Sequence, residues 1–220
     1  LRQLNISDDR KVRSVYCGVS DRFSPAPSPR SSDPARPRTL LYVGRSDPYK
    51  NLTTVIRALP AILKQCPFSV TLTVAGSPDP RYPEARETAR ALGVDTAVTW
   101  TGYLPDENLV RLYRKADALV HPSLYEGFGL QVVEAMACGL PVICSTTGSL
   151  PEVAGPAALM IDPLDADGLA AAAVRLLNDD ALASELSRKG LEQARRFAWD
   201  RTAAETLSIY KETPLETVPG

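Results

Sequence analysis

The sequence predicts an α/β protein: a Rossmann-like parallel sheet with helices on both faces, followed by a helical C-terminal tail. Two observations carry this prediction. Between about residues 40 and 161, short apolar runs typical of buried strands alternate with segments of helical apolar spacing. From Asp165 onward the chain is rich in Ala and Leu and almost wholly helical in pattern. Strands separated by helices imply right-handed crossovers, and therefore a parallel sheet covered on both faces.

The first part of the chain does not fit this alternation. Residues 21–39 hold five prolines and few residues that could pack, which is typical of an extended linker. We therefore divide the chain into a leader at 1–24, a Pro-rich linker at 25–38 and one main domain at 39–220. At 220 residues, the chain can bury one substantial core.

Strands and helices then follow in order. The stretch LLYVG predicts the first strand, and residues 52–63 have apolar side chains at helical spacing, with a kink expected at Pro60. Further helices are expected near residues 84–92 and 106–116 and from about residue 129. Further strands are predicted at SVTLTVAG, AVTWTG, DALVHPS, LPVICS and AALMI.

The charge balance and the cysteines argue against several classes of protein. With 25 basic and 26 acidic residues, the chain gives no global reason to expect nucleic acid or an anionic membrane as a partner. The four cysteines form no C-x-x-C pair, so neither a zinc site nor a disulfide framework is predicted, which fits a reducing cytoplasm. No apolar run approaches the roughly 18 to 20 residues of a transmembrane helix. The first residues lack the apolar region of a signal peptide.

The loop after the first strand is rich in charge. In an open α/β sheet, ligands bind beyond the carboxyl ends of the strands. There, Gly44 lets the chain turn, and Arg45 and Lys50 provide two cations that would balance a diphosphate. On this stretch alone, a solvated basic loop is an equally good interpretation.

A second strand end carries two glutamates. Glu126 and Glu134 are separated by seven residues, and Gly127 and Gly129 between them allow the backbone to approach a ligand at the start of a helix. The glutamates would project at different depths, so they suit separate hydroxyl groups better than one shared proton. The alternative is that both are ordinary helix-start and helix-surface residues. The stretch is not the dinucleotide fingerprint, because a third glycine is missing.

A third strand end is the loop at Tyr103 and Leu104, which leads into a helix marked by Pro105 and Asp106. A planar base could lie against this backbone. On these residues alone, an ordinary βα loop is the better interpretation.

Three stretches together resemble a known family. GRSDPYKN, the segment from GYLPDENL to PVICS, and FAWDRTAAETLSIYKE are similar to the C-terminal, donor-binding half of GT-B glycosyltransferases of family 4, a retaining group. The similarity runs from about residue 40 to the end. It implies a nucleotide-diphosphate sugar as the donor, GDP- or UDP-linked. Among the members of the family, the sequence is most similar to mannosyltransferases.

The resemblance also implies roles for single residues. Arg45 and Lys50 would stabilise the leaving diphosphate, Glu126 would contact hydroxyls of the transferred sugar, and these three would carry the catalysis. Glu134 would hold the ribose hydroxyls. The implied donor-binding set is Gly44, Arg45, Lys50, Tyr103, Leu104, Glu126, Gly127, Phe128, Gly129, Leu130 and Glu134.

No metal or cofactor is expected. The family usually works without a metal on the diphosphate, and we interpret the D-x-D at Asp165 and Asp167 as a helix cap. His121 is interpreted as a strand-end residue, because acceptor-side catalytic residues of the family come from its N-terminal half.

The chain also departs from the family pattern. By this resemblance the acceptor half is expected to be missing from the sequence, and the leader resembles its last strand, so residues 12–19 are expected to form a strand without a sheet of its own. We therefore expect a fragment that binds nucleotide sugar, transfers nothing alone and needs the acceptor domain as a partner. The complete enzyme would be cytoplasmic, with a peripheral contact to the inner membrane face as an option. A non-catalytic nucleotide-sugar-binding module and a flavodoxin-like protein stay open as alternatives.

Overall fold

A single six-stranded sheet forms the centre of the molecule. The computed structural model describes residues 12–26 and 36–212. The strands are β1 (Arg38–Val43), β2 (Val70–Ala75), β3 (Val98–Gly102), β4 (Ala118–His121), β5 (Val142–Ser145) and β6 (Ala158–Ile161). Their order is β3-β2-β1-β4-β5-β6, and every neighbouring pair is parallel. The predicted parallel sheet is confirmed.

Helices connect the strands and form the C-terminal end. They are α1 (Leu52–Gln65), α2 (Glu84–Ala91), α3 (Asp106–Lys115), α4 (Leu130–Ala137), α5 (Leu150–Ala154), α6 (Ala166–Asn178), α7 (Asp180–Ala194) and α8 (Trp199–Glu212). Helix α1 continues through Pro60 as one element. Helix α5 was not predicted, because five residues are too few to show helical periodicity.

The sheet separates two apolar cores. Leu40 and Tyr42 of β1 belong to one core, together with residues of α1 and α6, whereas Leu41 and Val43 belong to the other, together with residues of α4 and α5. Successive side chains of a strand point to opposite faces, so a strand covered on both sides must be apolar throughout. This requirement explains the unbroken apolar run LLYV.

The strand order fixes where a ligand would bind. The chain builds β1, β2 and β3 outward in one direction and then returns to place β4 on the other side of β1. Open α/β sheets bind ligands in the crevice outside the carboxyl ends of the strands at such a reversal, which here lies between the loops that follow β1 and β4. These two loops are the ones that carry Lys50 and Glu126.

The expected strand at residues 12–19 is wrong. The described part of the leader makes one parallel bridge, between Val19 and Ala198, and no strand. The ladder cannot continue because helix α8 begins at the next residue, Trp199. The leader instead packs through side chains: the Tyr16 ring meets Phe197 edge-on, with 5.5 Å between ring centroids.

The last residues of the predicted linker belong to the folded domain. Arg36 forms an ion pair with Asp117, which lies just before β4 and is 7% exposed. Asp117 also accepts a hydrogen bond of 2.7 Å from the Thr39 backbone N–H. Residues 1–11 and 27–35 lie outside the described part of the chain, so the proposed domain boundaries at 24 and 38 stay predictions.

Helix ends agree with the predicted capping. Asp165 caps α6 by accepting a 2.8 Å hydrogen bond from the Gly168 N–H, and Asp167 lies in the first turn. The cap interpretation of this D-x-D is confirmed.

Helix α8 has no buried residue. None of the described helices combines the length and the apolar character that a bilayer crossing needs.

Candidate functional site

The loops after β1 and β4 are joined to each other. Leu124 donates a backbone hydrogen bond of 2.7 Å to Tyr49 O. Asn51 adopts a left-handed conformation, with φ 59°, which Asn tolerates better than most residues. From there its side-chain amide donates to Pro122 O at 3.0 Å and to Pro163 O at 2.6 Å. Three loops at the carboxyl edge of the sheet are thereby held together.

Glu126 is the centre of a polar cluster at this edge. Its Oε1 atom accepts hydrogen bonds from Lys50 Nζ at 2.7 Å and from Ser123 Oγ at 2.8 Å, and it lies 3.0 Å from His121 Nε2. The Glu126 and Lys50 side chains are only 10% and 12% exposed. The structure therefore brings together two of the predicted catalytic residues, Lys50 and Glu126.

The cluster keeps Glu126 ionised. Burial alone would raise the pKa of this carboxyl, but hydrogen bonds from His121, Lys50 and Ser123 outweigh burial and lower the pKa to about 2. A permanently charged carboxylate is a strong hydrogen-bond acceptor and a poor proton donor. Glu126 is therefore suited to hold hydroxyl groups, as the family resemblance implies.

The segment after β5 fixes the backbone of the glutamate loop. Ser145 Oγ and Thr147 Oγ1 donate to Ser123 O at 2.5 and 2.8 Å. Ser149 Oγ lies 3.0 and 2.9 Å from the carbonyl oxygens of Glu126 and Phe128, so its single proton is shared between them. Hydroxyl groups from one strand end thus satisfy the carbonyls of a neighbouring loop that has no secondary structure of its own.

Gly129 caps the helix that follows. It adopts φ 97° and ψ 54° immediately before α4, and a Cβ atom at this position would lie 2.6 Å from Leu150 Cδ2. Glycine is therefore favoured by the backbone conformation, and any larger residue would also have to displace the end of the Leu150 side chain. A side chain at Gly127 would meet nothing within 4 Å, so that position is open toward the crevice.

Glu134 lies in a different environment, one and a half turns into α4. Its Oε2 atom accepts a 2.8 Å hydrogen bond from the hydroxyl of Tyr113 on α3. Burial raises the pKa of Glu134; the Tyr113 hydrogen bond opposes this shift, and the charge of Asp106 adds to it.

Several predicted donor-binding residues occupy other surroundings. Arg45 is 62% exposed and pairs with Asp47, at 2.9 Å, and with Asp79, at 3.9 Å, instead of joining Lys50 at Glu126. The Phe128 ring packs against Tyr16 and Phe197 in the apolar core. The Phe128 side chain is therefore part of the core, and only the Phe128 backbone could contribute to donor binding.

The remaining predicted residues lie at the strand ends as expected. Gly44 follows β1, and its N–H donates to Ala75 O at 2.9 Å. Tyr103 is 76% exposed, whereas Leu104 packs against the core that includes α4. Leu130 begins α4 and is 38% exposed.

Sequence reasoning missed the residues that support the glutamates. Asn51, Ser123, Tyr113 and the STTGS segment at 145–149 were not singled out, and His121 was placed at the end of β4 without its contact to Glu126. A signal was present for STTGS, since a polar run directly after a buried strand is the pattern that marked the other two loops. Tyr113 had no such signal, because an aromatic residue at helical spacing usually packs in a core.

No metal centre is formed within the described residues. Residues 12–26 and 36–212 contain no group of three or more His, Cys, Asp or Glu side chains that could hold a metal ion. The charge at the carboxyl edge of the sheet comes from Lys50, Arg45 and the aspartates and glutamates paired with them.

Comparison with known proteins places this chain in a family. The chain matches the family described as glycosyl transferases group 1 over residues 27–193. The O-antigen chain mannosyltransferase B of Escherichia coli is 36% identical over 175 residues, which cover 78% of this chain and 45% of that protein. A D-inositol 3-phosphate glycosyltransferase of Corynebacterium efficiens is 32% identical over 213 residues, covering 94% of this chain and 50% of that protein. The chain spans about half the length of these curated relatives.

Solved structures have the same fold. Sucrose-phosphate synthase from Thermosynechococcus elongatus is 32% identical, with a TM-score of 0.77 over 91% of this chain and 52% of that one. The C-terminal domain of a glycosyl transferase group 1 family protein (LpcC) from Francisella tularensis is 26% identical, with a TM-score of 0.71 over 81% of this chain and 97% of that one.

A more distant neighbour, Anabaena HepE in complex with UDP and glucose, is 22% identical and has a TM-score of 0.82 over 94% of this chain and 58% of that one. The structural neighbours are GT-B glycosyltransferases, so the predicted fold class is confirmed. Because the family match covers most of the sequence and curated relatives agree with it, this chain belongs to the family of glycosyl transferases group 1.

Proposed function

We propose that this chain is the donor-binding half of a retaining, metal-independent hexosyltransferase of family 4. It would bind a nucleotide-diphosphate sugar, GDP- or UDP-linked, and present the sugar to an acceptor held by a separate N-terminal domain. Mannose is the sugar that we favour, because a mannosyltransferase is among the relatives at 36% identity. The observation that carries the proposal is the buried Lys50–Glu126 pair of 2.7 Å at the carboxyl edge of the sheet.

The charges at this pair suit the two ends of a sugar diphosphate. Lys50 has three N–H donors and uses one on Glu126, so two are left for phosphate oxygens. Negative charge develops on the leaving diphosphate during transfer, and a positioned cation stabilises that charge. Glu126 would accept from hydroxyls of the transferred sugar. On binding, Arg45 would leave its ion pairs with Asp47 and Asp79 and pair with the diphosphate instead.

Glu134 would hold the nucleotide. The Tyr113 hydroxyl donates a hydrogen bond to its carboxyl group, and burial raises the pKa of that group. Ribose hydroxyls would donate to the oxygen that Tyr113 does not use. The loop at Tyr103 and Leu104 would contact the base.

The first experiment is a calorimetric titration of the chain with UDP, GDP, UDP-glucose and GDP-mannose. We expect one base series to bind. Glu134→Gln should weaken binding of the nucleotide and of its sugar by about 1 to 3 kcal/mol, because a buried charge-assisted contact is lost. The variant should stay folded, since a neutral amide suits a site that already disfavours the charge.

The matched control is Glu192→Gln. Glu192 is an exposed glutamate of α7, 59% accessible and paired with Arg188 within the same helix, so nucleotide affinity should not change. If the folded native chain binds none of the four compounds, or if both variants behave alike, the donor site is not where we place it.

The split between enzyme and binding module needs a second assay. With a labelled donor, the chain alone should transfer no sugar, and adding a separately produced acceptor domain should restore transfer. Transfer by the chain alone would contradict the assignment as a donor half. Failure with every tested acceptor domain, despite donor binding, would favour a non-catalytic module.

The location also stays a proposal. The four cysteines are free thiols, which fits a reducing cytoplasm. Contact of the complete enzyme with the inner face of a membrane is an option that depends on the acceptor.

A further inference from the structure

The hydrogen bonds around Glu126 are divided unevenly between its two oxygens. Lys50 Nζ, Ser123 Oγ and His121 Nε2 all approach Oε1, at 2.7, 2.8 and 3.0 Å. A carboxylate oxygen offers about two lone-pair sites, so Oε1 is saturated. Within the described residues, no hydrogen bond is formed to Oε2. The cluster therefore leaves one oxygen of a charged carboxylate for something else.

The position of His121 determines which of its nitrogens carries the proton. Its Nε2 faces an ionised oxygen, and two lone pairs at 3.0 Å would repel, so Nε2 must be the protonated nitrogen. The side chain is 0% exposed, and its Nδ1 has no hydrogen-bond partner among the described residues. A proton on Nδ1 as well would bury a positive N–H group without an acceptor, which is costly. The geometry favours the neutral Nε2–H tautomer.

Resting on the proposed donor site, we propose that His121 is a positioning residue for Glu126. In its neutral Nε2–H tautomer, His121 completes the set of donors on Oε1 and thereby turns Oε2 toward a hydroxyl group of the donor sugar. In this tautomer His121 contributes a hydrogen bond to Glu126, and the ammonium of Lys50 supplies the positive charge beside the carboxylate.

In this arrangement His121 cannot act as a general base. Its Nε2 is occupied by Glu126, and its Nδ1 points into the protein interior, where the side chain is fully buried. His121 has no exposed nitrogen that could take a proton from an acceptor. Its effect must therefore pass through the orientation of Glu126, and it should act on the sugar part of the donor and not on the nucleotide.

The tautomer can be measured directly, because His121 is the only histidine in the chain. Labelling with ¹⁵N-imidazole histidine gives one imidazole in a long-range ¹H–¹⁵N correlation spectrum. At neutral pH, we expect a protonated Nε2 and a pyridine-type Nδ1. A proton on Nδ1 alone, or protons on both nitrogens, would overturn the proposal. This measurement uses the native chain and does not depend on any variant folding.

Binding measurements test the consequence for the sugar. The useful quantity is the ratio of affinities for a nucleotide sugar and for the bare nucleoside diphosphate, measured with the UDP and GDP pairs. His121→Leu keeps an apolar volume but removes the donor, and should reduce the nucleotide-sugar affinity by roughly fivefold to tenfold with the nucleotide affinity unchanged. His121→Gln restores an N–H donor at similar reach and should recover most of this loss.

The outcomes distinguish the two proposals. If the native chain binds no nucleotide, the donor site itself is contradicted, and the tautomer still decides the arrangement at Glu126. If the native chain binds nucleotide sugar but His121→Leu weakens sugar and bare nucleotide equally, His121 is only structural and the inference fails. Equal behaviour of the Leu and Gln variants would likewise reject a role for the Nε2–H donor.

Discussion

Two glutamates eight positions apart behave as different chemical groups because their neighbours differ. Glu126 is surrounded by three donors, which lower its pKa to about 2 in spite of burial. Glu134 has one donor, the Tyr113 hydroxyl, and burial raises its pKa. The first carboxylate therefore stays charged at all ordinary pH values. The second is held less strongly in its charged form and gains from the hydroxyl groups of a bound ligand.

The ionisation of Glu126 should appear in the pH dependence of stability. A carboxyl whose pKa is lower in the folded chain than in the unfolded chain stabilises the fold above its unfolded pKa and loses this effect as pH falls toward the folded pKa. For Glu126 the window runs from the ordinary value of 4.5 down to about 2. At neutral pH, Glu126→Gln should lower the free energy of unfolding by up to about 3 kcal/mol.

Urea unfolding of the native chain and of Glu126→Gln between neutral and acidic pH measures this difference. The gap should shrink as pH falls from about 4.5 toward about 2, because in this range the carboxyl of the unfolded chain takes up a proton while that of the folded chain stays ionised. The exposed Glu192→Gln variant should stay within about 0.5 kcal/mol of the native chain. A gap that stayed constant over the whole pH range would mean that packing, and not charge, accounts for the loss.

At the scale of elements, the two glycines at the start of α4 have different structural surroundings. Gly129 has a positive φ and abuts Leu150 of α5, whereas Gly127, two residues earlier, has open space around it and no positive φ. The two glycines of the same G-x-G therefore have different reasons to be there. Gly129 joins two helices, and Gly127 leaves the crevice open.

Alanine substitutions should separate these two reasons. Gly129→Ala forces a Cβ into a left-handed backbone and against Leu150, and we expect it to lower the free energy of unfolding by about 2 to 4 kcal/mol. Gly127→Ala is the matched control and should cost less than about 1 kcal/mol. Thermal or urea unfolding of both variants gives the comparison. Similar losses at the two positions would contradict the structural account of Gly129.

Across the whole molecule, the described part of the leader is connected to both glutamate-bearing regions. Tyr16 packs against Phe128 in the Glu126 loop, and Phe23 meets Tyr113, the partner of Glu134, with ring centroids 5.8 Å apart. The leader thus packs against residues that adjoin or contact the two glutamates, although it contributes no strand. Through these contacts, Tyr16 and Phe23 attach the leader to the main domain.

Among the eight described α-helices, α8 is the one that buries no residue. The side chains of Leu207 and Tyr210 are 52% and 73% exposed. Hydrogen exchange followed by mass spectrometry should therefore show fast exchange in α8 and slow exchange in β1 and β4, whose side chains are buried. If α8 exchanged more slowly than the other helices, our view that it is under-packed would be wrong.

Much of the fold could be predicted because its signals are local. The apolar runs of β1 and β4 reflect burial on two faces, the period of α1 reflects burial on one, and Asp165 has the side chain that caps a helix start. Each of these patterns lies within a few residues. The strand expected at residues 12–19 failed because a strand needs a partner edge, and α8 begins where that edge would continue.

The site could be predicted only in part, for the same physical reason. The spacing of Glu126 and Glu134 and the cations after β1 were visible in the sequence, and with them the family. Lys50 and Glu126, however, are 76 residues apart along the chain, and their 2.7 Å contact exists because a crossover places β4 beside β1. The same topology assigned Arg45 to two aspartates, and brought His121, Ser123 and the STTGS hydroxyls to Glu126. The sequence by itself determined the elements and the residue types at the strand ends; the tertiary structure decided which of those residues meet, because strand order and loop contacts depend on packing between distant segments.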